Sequence, residues 1–131
     1  MPVKQQFVEL EGLRVSVDRV VYSPTPARPE DQPHRFDYFI SIHNDSEETV
    51  NIKGRKWVVT NDQGQTVVVE GDGVVGEFPT IQPGEHFSYN SFHLLGTRKG
   101  RATGSYFGLD SKGRRVITRI PPFDLEVPHG N

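Results

Sequence analysis

The chain has 131 residues, a formal charge of −2 and no cysteine, a size that lets one domain hide about two-thirds of its unfolded surface without staples. The absent thiols exclude disulfides, cysteine nucleophiles and cysteine-based zinc sites. The acidic balance argues against nucleic-acid binding, although residues 1–92 hold eight Lys/Arg against fourteen Asp/Glu and residues 93–131 seven against three.

Residues 1–12 read as an N-terminal extension. They carry no apolar signal-peptide core, and no apolar run in the chain nears the ~20 residues of a membrane span. The expectation is a soluble cytoplasmic protein without membrane contact. A strand is predicted from Leu13 to Tyr22, with Val15 and Val17 on one face. Pro24, Pro26, Pro29 and Pro33 then impose an extended loop. From Phe36 to Asn44 the alternation is clear: Phe36, Tyr38, Ile40 and Ile42 share a face, and Asp37, Ser41 and His43 the other, with Phe39 as the exception. Period two suits a half-buried strand and not a helix.

After the turn Asn44-Asp45-Ser46, a third strand runs from Val50 to Thr60. Gly54 in its middle predicts a bulge or a close backbone approach, and Trp57, the only tryptophan, reads as core. Asn61-Asp62-Gln63-Gly64 predicts a hairpin turn into a strand at Gln65–Glu70. Further strands are predicted at Glu85–Leu94, Arg101–Leu109 and Arg114–Val127, the last interrupted at Pro121-Pro122, which suits an edge or a strand switch. Phe87 and Tyr89 read as packing inward, and Phe92 as exposed. Seven short strands and no convincing helix predict an all-β fold: an immunoglobulin- or fibronectin-III-like antiparallel β-sandwich over 13–127, with 128–131 as a tail.

Gly71-Asp72-Gly73-Val74-Val75-Gly76 fits the dinucleotide-binding spacing G-x-G-x-x-G. That chemistry requires the glycines to open a helix whose N-terminus holds the pyrophosphate. Pro79 and Pro83 stand where that helix would run, and no acid occurs between Glu85 and Asp110 to bind a ribose. A nucleotide fold is therefore excluded. Three readings of the loop remain open: backbone geometry alone, a protein contact, or a nest of N–H groups for an anion. Arg98, Lys99 and Arg101 could supply countercharge if they lie nearby. The candidate anion- or partner-binding residues are thus Gly71, Asp72, Gly73, Gly76, Arg98, Lys99 and Arg101.

No catalytic or metal-binding set is legible. His86 and His93 share a strand but a separation of seven puts them on opposite faces. No two of the five histidines (His34, His43, His86, His93, His129) stand at a ligand spacing. Glu70, Asp72 and Glu77 around the glycine loop read as solvated acids, and the serines lack a His-Asp framework. No cofactor is expected.

Three segments resemble the ApaG domain family: Ile52-Lys53-Gly54-Arg55-Lys56-Trp57-Val58-Val59-Thr60-Asn61, the glycine loop continued through Glu77-Phe78-Pro79, and Ile81-Gln82-Pro83-Gly84-Glu85. A weaker echo follows at Gly100–Phe107. The resemblance implies a fibronectin-III-like sandwich. Similar domains occur in F-box proteins and a polymerase-interacting protein, which implies protein binding. The bacterial members neighbour a diadenosine tetraphosphate hydrolase gene and have been linked to cobalt and magnesium tolerance; no catalytic residues carry over. This chain departs from the family at Asn90-Ser91-Phe92, where Thr-Ser-Gly is usual, and at Thr97-Arg98, where Thr-Pro is usual. The expected function is a non-catalytic module that binds a protein partner, with contacts near the glycine loop. The alternative is a nucleotide or polyphosphate anion.

Overall fold

In a computed structural model that describes residues 6–23 and 32–130, the backbone forms strands and turns and, among those residues, no helix. Seven long strands match the expected seven: β2 (Leu13–Tyr22), β3 (His34–Asn44), β4 (Val50–Asn61), β5 (Thr66–Asp72), β7 (His86–Leu95), β8 (Lys99–Asp110) and β9 (Arg115–Glu126). Two further strands, β1 (Val8–Glu9) and β6 (Thr80–Ile81), are too short to show alternation in the sequence. Pro24, Pro26 and Pro29 of the expected proline loop lie outside the described residues.

The strands make two sheets. One runs β1-β9-β8-β4-β5, with β6 also pairing β4, and the other runs β2-β3-β7. All pairs are antiparallel except β1 with β9. That parallel pair joins residues from the expected N-terminal extension to the large sheet. Between the layers lie Phe36, Tyr38, Ile40 and Ile42 of β3, which the alternation predicted. They meet Val50, Ile52, Trp57 and Val59 of β4, Tyr106 of β8, and Val116, Ile120 and Leu125 of β9, all buried.

Strict alternation would carry a buried set to solvent wherever the sequence changes phase, and a bulge is what restores it. In β4 the inward residues pass from even positions (Val50, Ile52) to odd ones (Trp57, Val59). One extra residue, Lys53, stands between Ile52 and Gly54 against β8, so the bulge falls where the glycine signalled it. In β9, two residues between Ile120 and Phe123, Pro121 and Pro122, oppose the one between Ala102 and Gly104. Neither proline can donate to a ladder, and the bulge on this strand tolerates both without ending it. A third bulge was not foreseen: Asp18 is the extra residue of β2 between Val17 and Arg19. The sequence carried its sign in the spacing of three between Val17 and Val20, both packed against the core.

Trp57 is 1 % exposed and sits against Tyr38 (4.8 Å between centroids) and Phe123 (5.8 Å). It ties the two sheets together, as expected of a lone tryptophan on an inner strand.

Candidate functional site

The glycine segment is a tight strand-to-strand turn. Gly71 and Asp72 close β5. Val74 and Glu77 then exchange backbone hydrogen bonds (2.8 and 2.9 Å) across Val75-Gly76. Both central residues have positive φ, 42° and 80°, the signature of a type I′ turn. Gly73, at φ 63°, passes so close to the returning chain that a Cβ would stand 2.3 Å from the Glu77 carbonyl oxygen. Val74, fully buried, pins the turn to the core. The N–H groups of Gly73, Val74 and Glu77 go to carbonyls of Lys53, Glu77 and Val74, so three donors an anion would need are already committed.

The three basic candidates stand elsewhere. Gly54 of β4 pairs Asp72, whereas Asn61 of β4 pairs Gly100. Seven residue steps of extended chain separate the two, about 23 Å. At that far end Lys99 reaches Glu126 (3.7 Å) and Arg101 reaches Asp124 (3.4 Å), while the carbonyl of Arg98 accepts from Val127 N–H. The cation that does serve the glycine turn is Arg55. Its Nη1 donates to the carbonyls of Asp72 (2.9 Å) and Gly73 (3.2 Å), and its guanidinium covers Gly71, where a Cβ would collide with it at 2.7 Å. The β4–β5 register, which sets Arg55 opposite Gly71, brings this about.

β5 is the edge of the large sheet. Asn61 N–H to Gln65 O (2.9 Å) and Gly73 N–H to Lys53 O (2.8 Å) mark the two ends of its ladder with β4. Antiparallel pairing alternates, so Val67, Val69 and Gly71 bond to β4, and Thr66, Val68 and Glu70 direct their N–H and C=O outward. Val67 and Val69 lie beside Val59 and Trp57 on the inward side, yet they are 53 % and 41 % exposed. The facing sheet has only three strands and ends at β7. Val68, on the opposite side, is 53 % exposed. Three consecutive exposed valines on an open edge are what sheet proteins ordinarily avoid.

The outer face of the small sheet holds a polar network that sequence spacing did not reveal. Asp18, turned outward at its bulge, accepts from Ser16 Oγ (2.7 Å) and Ser41 Oγ (2.5 Å). Those bonds, Ser41's first, hold its carboxyl below the usual carboxylate range. Ser41 is also 2.7 Å from Ser88 Oγ, and Ser16 is 2.8 Å from His43 Nε2. An ionised carboxylate only accepts. Ser16 and Ser41 therefore spend their protons on Asp18, so Ser88 donates to Ser41 and His43 Nε2–H donates to Ser16. This order is the reverse of a nucleophilic triad, where the histidine takes the serine proton. Phe92, exposed as expected (42 %), lies on the same sheet beneath the Arg35 guanidinium, 4.1 Å from its ring centroid.

The family model for the ApaG domain matches residues 24–109. The chain belongs to the ApaG family. Its relatives include Protein ApaG of Vibrio cholerae, 38% identical over 93% of this chain and 96% of that protein. Protein ApaG of Rhodospirillum centenum is 41% identical over 91% of each. Among solved structures, a structural-genomics target determined by X-ray superposes with TM-score 0.83 at 35% identity, covering 92% of this chain and 90% of that one. A crystal structure of a Bordetella pertussis protein assigned provisionally as ApaA gives TM-score 0.82 at 32% identity, covering 93% and 98%. The two-sheet sandwich is thus the ApaG fold. Within it the glycine loop of this ApaG chain is a strand-to-strand turn held by Arg55. No helix among the described residues is long and apolar enough to cross a membrane.

Proposed function

We propose that this ApaG protein is a non-catalytic binding module that takes an extended segment of a partner protein along β5. The observation that carries the reading is the outward row of backbone groups at Thr66, Val68 and Glu70, flanked by exposed Val67, Val68 and Val69. A strand added there would gain main-chain hydrogen bonds for affinity and side-chain pockets for specificity. The turn at Val74–Glu77 fixes one end of that edge, so the glycine loop serves as a rim of the binding surface. The donor order around Ser16 supports a role without nucleophilic chemistry. A nucleotide or polyphosphate ligand draws less support, because three of the loop's amides are committed and its expected countercharges lie toward the opposite end of β4.

A photo-crosslinking side chain placed at Thr66, next to Val68 in the outward register, is expected to capture a protein partner in cells. The same group at Arg119, on the far β9 strand, is expected not to capture it. Val68→Pro deletes an outward N–H and leaves the β4 ladder intact, so it should abolish capture without unfolding the domain. A partner held equally well by Val68→Pro and Val68→Lys would overturn the reading.

A further inference from the structure

His43 and His86 lie 43 residues apart in the chain but directly opposite one another in the β3–β7 register. The neighbouring Asn44 N–H bonds to the Glu85 carbonyl (3.0 Å). That makes His43–His86 a non-hydrogen-bonded pair, the kind in which facing side chains come closest, with Cα atoms about 4.5 Å apart. Their ring centroids are 5.6 Å apart and the rings incline at 34°. His86 is exposed and His43 half-buried, so both can be reached from solvent. No group of three or more His, Asp or Glu able to hold a metal occurs among the described residues, so any chelate here has two protein ligands.

The second observation concerns the proton on His43. Its Nε2–H is donated to Ser16, which in turn donates to Asp18. A neutral imidazole has one protonated nitrogen, so Nδ1 carries a free lone pair. Histidines that bind metals typically have this arrangement: the far nitrogen donates toward a carboxylate, which fixes the tautomer and raises the basicity of the ligating one. Here a serine relays the contact. Beside His43 on β2, Arg14 is matched by Asp45 at 2.9 Å, so its charge is offset.

We propose that His43 and His86 form a two-imidazole chelate for a borderline divalent transition ion such as Zn²⁺, Ni²⁺ or Cu²⁺, with water completing the coordination. Imidazole donors select these ions over Mg²⁺ and Ca²⁺, which take oxygen ligands. Ser16 and Asp18 are positioning residues that set the tautomer of His43. The site lies on the outer face of the small sheet and is independent of the β5 edge.

Calorimetric titration of the full chain with zinc chloride and nickel chloride tests the proposal. One ion per chain should bind. His86→Asn should weaken uptake at least tenfold and Ser16→Ala about tenfold, while His129→Asn changes nothing. Paramagnetic Cu²⁺ should broaden the NMR signals of residues 43 and 86 ahead of all others. His86 is exposed, so its replacement leaves the fold intact even if His43→Asn does not. Absence of heat at millimolar zinc, or zinc uptake undiminished in His86→Asn, would overturn the proposal, as would broadening centred on His34 or His129.

Discussion

His93 of β7 meets Trp57 of β4 edge to face across the sandwich, with ring centroids 4.6 Å apart and planes at 74°. On its other side it stacks on Tyr38 at 4.7 Å. An imidazole is thereby enclosed by aromatic rings at the centre of the core, and its Nε2 has no hydrogen-bond partner among the described residues. Such a site accepts the neutral ring and resists the cation.

Burial pushes His93 down from 6.5 to about 4. The unfolded chain therefore takes up this proton at a higher pH than the folded one does. The stabilisation is complete above pH 6.5 and is lost as pH falls through 6.5 toward 4, by on the order of 3 kcal/mol. Urea unfolding series at pH 7.5, 6 and 4.5 should show that decline in the natural chain. In His93→Leu it should be much flatter; an equal slope in both would reject the assignment.

Val75 is the one described non-glycine residue with positive φ, 42°, and a β-branched side chain is poorly suited to it. Half of its surface is exposed, so little packing depends on it. Val75→Asn gives the Asn-Gly pair that type I′ turns favour. It should raise stability by about 1 kcal/mol, seen as a higher thermal midpoint. A lower midpoint would mean that Val75 makes contacts the turn depends on.

Arg55 ties β4 to the end of β5 through two carbonyls. Arg55→Ala frees both oxygens to water and should cost about 1–2 kcal/mol. The diagnostic readout is local: amide exchange at Gly73 and Glu77 should accelerate more than at Tyr38 or Val59. Arg55→Lys cannot reproduce the planar covering of Gly71 and should rescue only in part.

Because the basic stretch and the glycine turn occupy opposite ends of β4, they should behave as separate regions. Lys99→Glu with Arg101→Glu is expected to leave the ¹H–¹⁵N signals of Gly71, Gly73 and Gly76 in place. Those of Asp124 and Glu126 should move. Shifts at the glycines would show that the two clusters communicate.

The sandwich was legible because period-two alternation is a local property. Phe36, Tyr38, Ile40 and Ile42 announce a buried face within a few residues, and Gly54 and Pro121-Pro122 mark two of the phase changes. The glycine turn could be rescued from its resemblance to a nucleotide motif by Pro79 and Pro83 alone, since a helix cannot hold either in its interior. The Asp18 bulge escaped notice because it bears neither glycine nor proline, only an irregular interval between Val17 and Val20.

What the sequence determined by itself was therefore which residues face inward, and with that the two-layer fold. It could not determine which strands become neighbours, because register is set by long-range packing and turn geometry rather than by local pattern. Only the tertiary structure decided that His43 meets His86, that β5 outreaches the three-stranded sheet, and that Arg55 rather than Arg98, Lys99 or Arg101 attends the glycine turn.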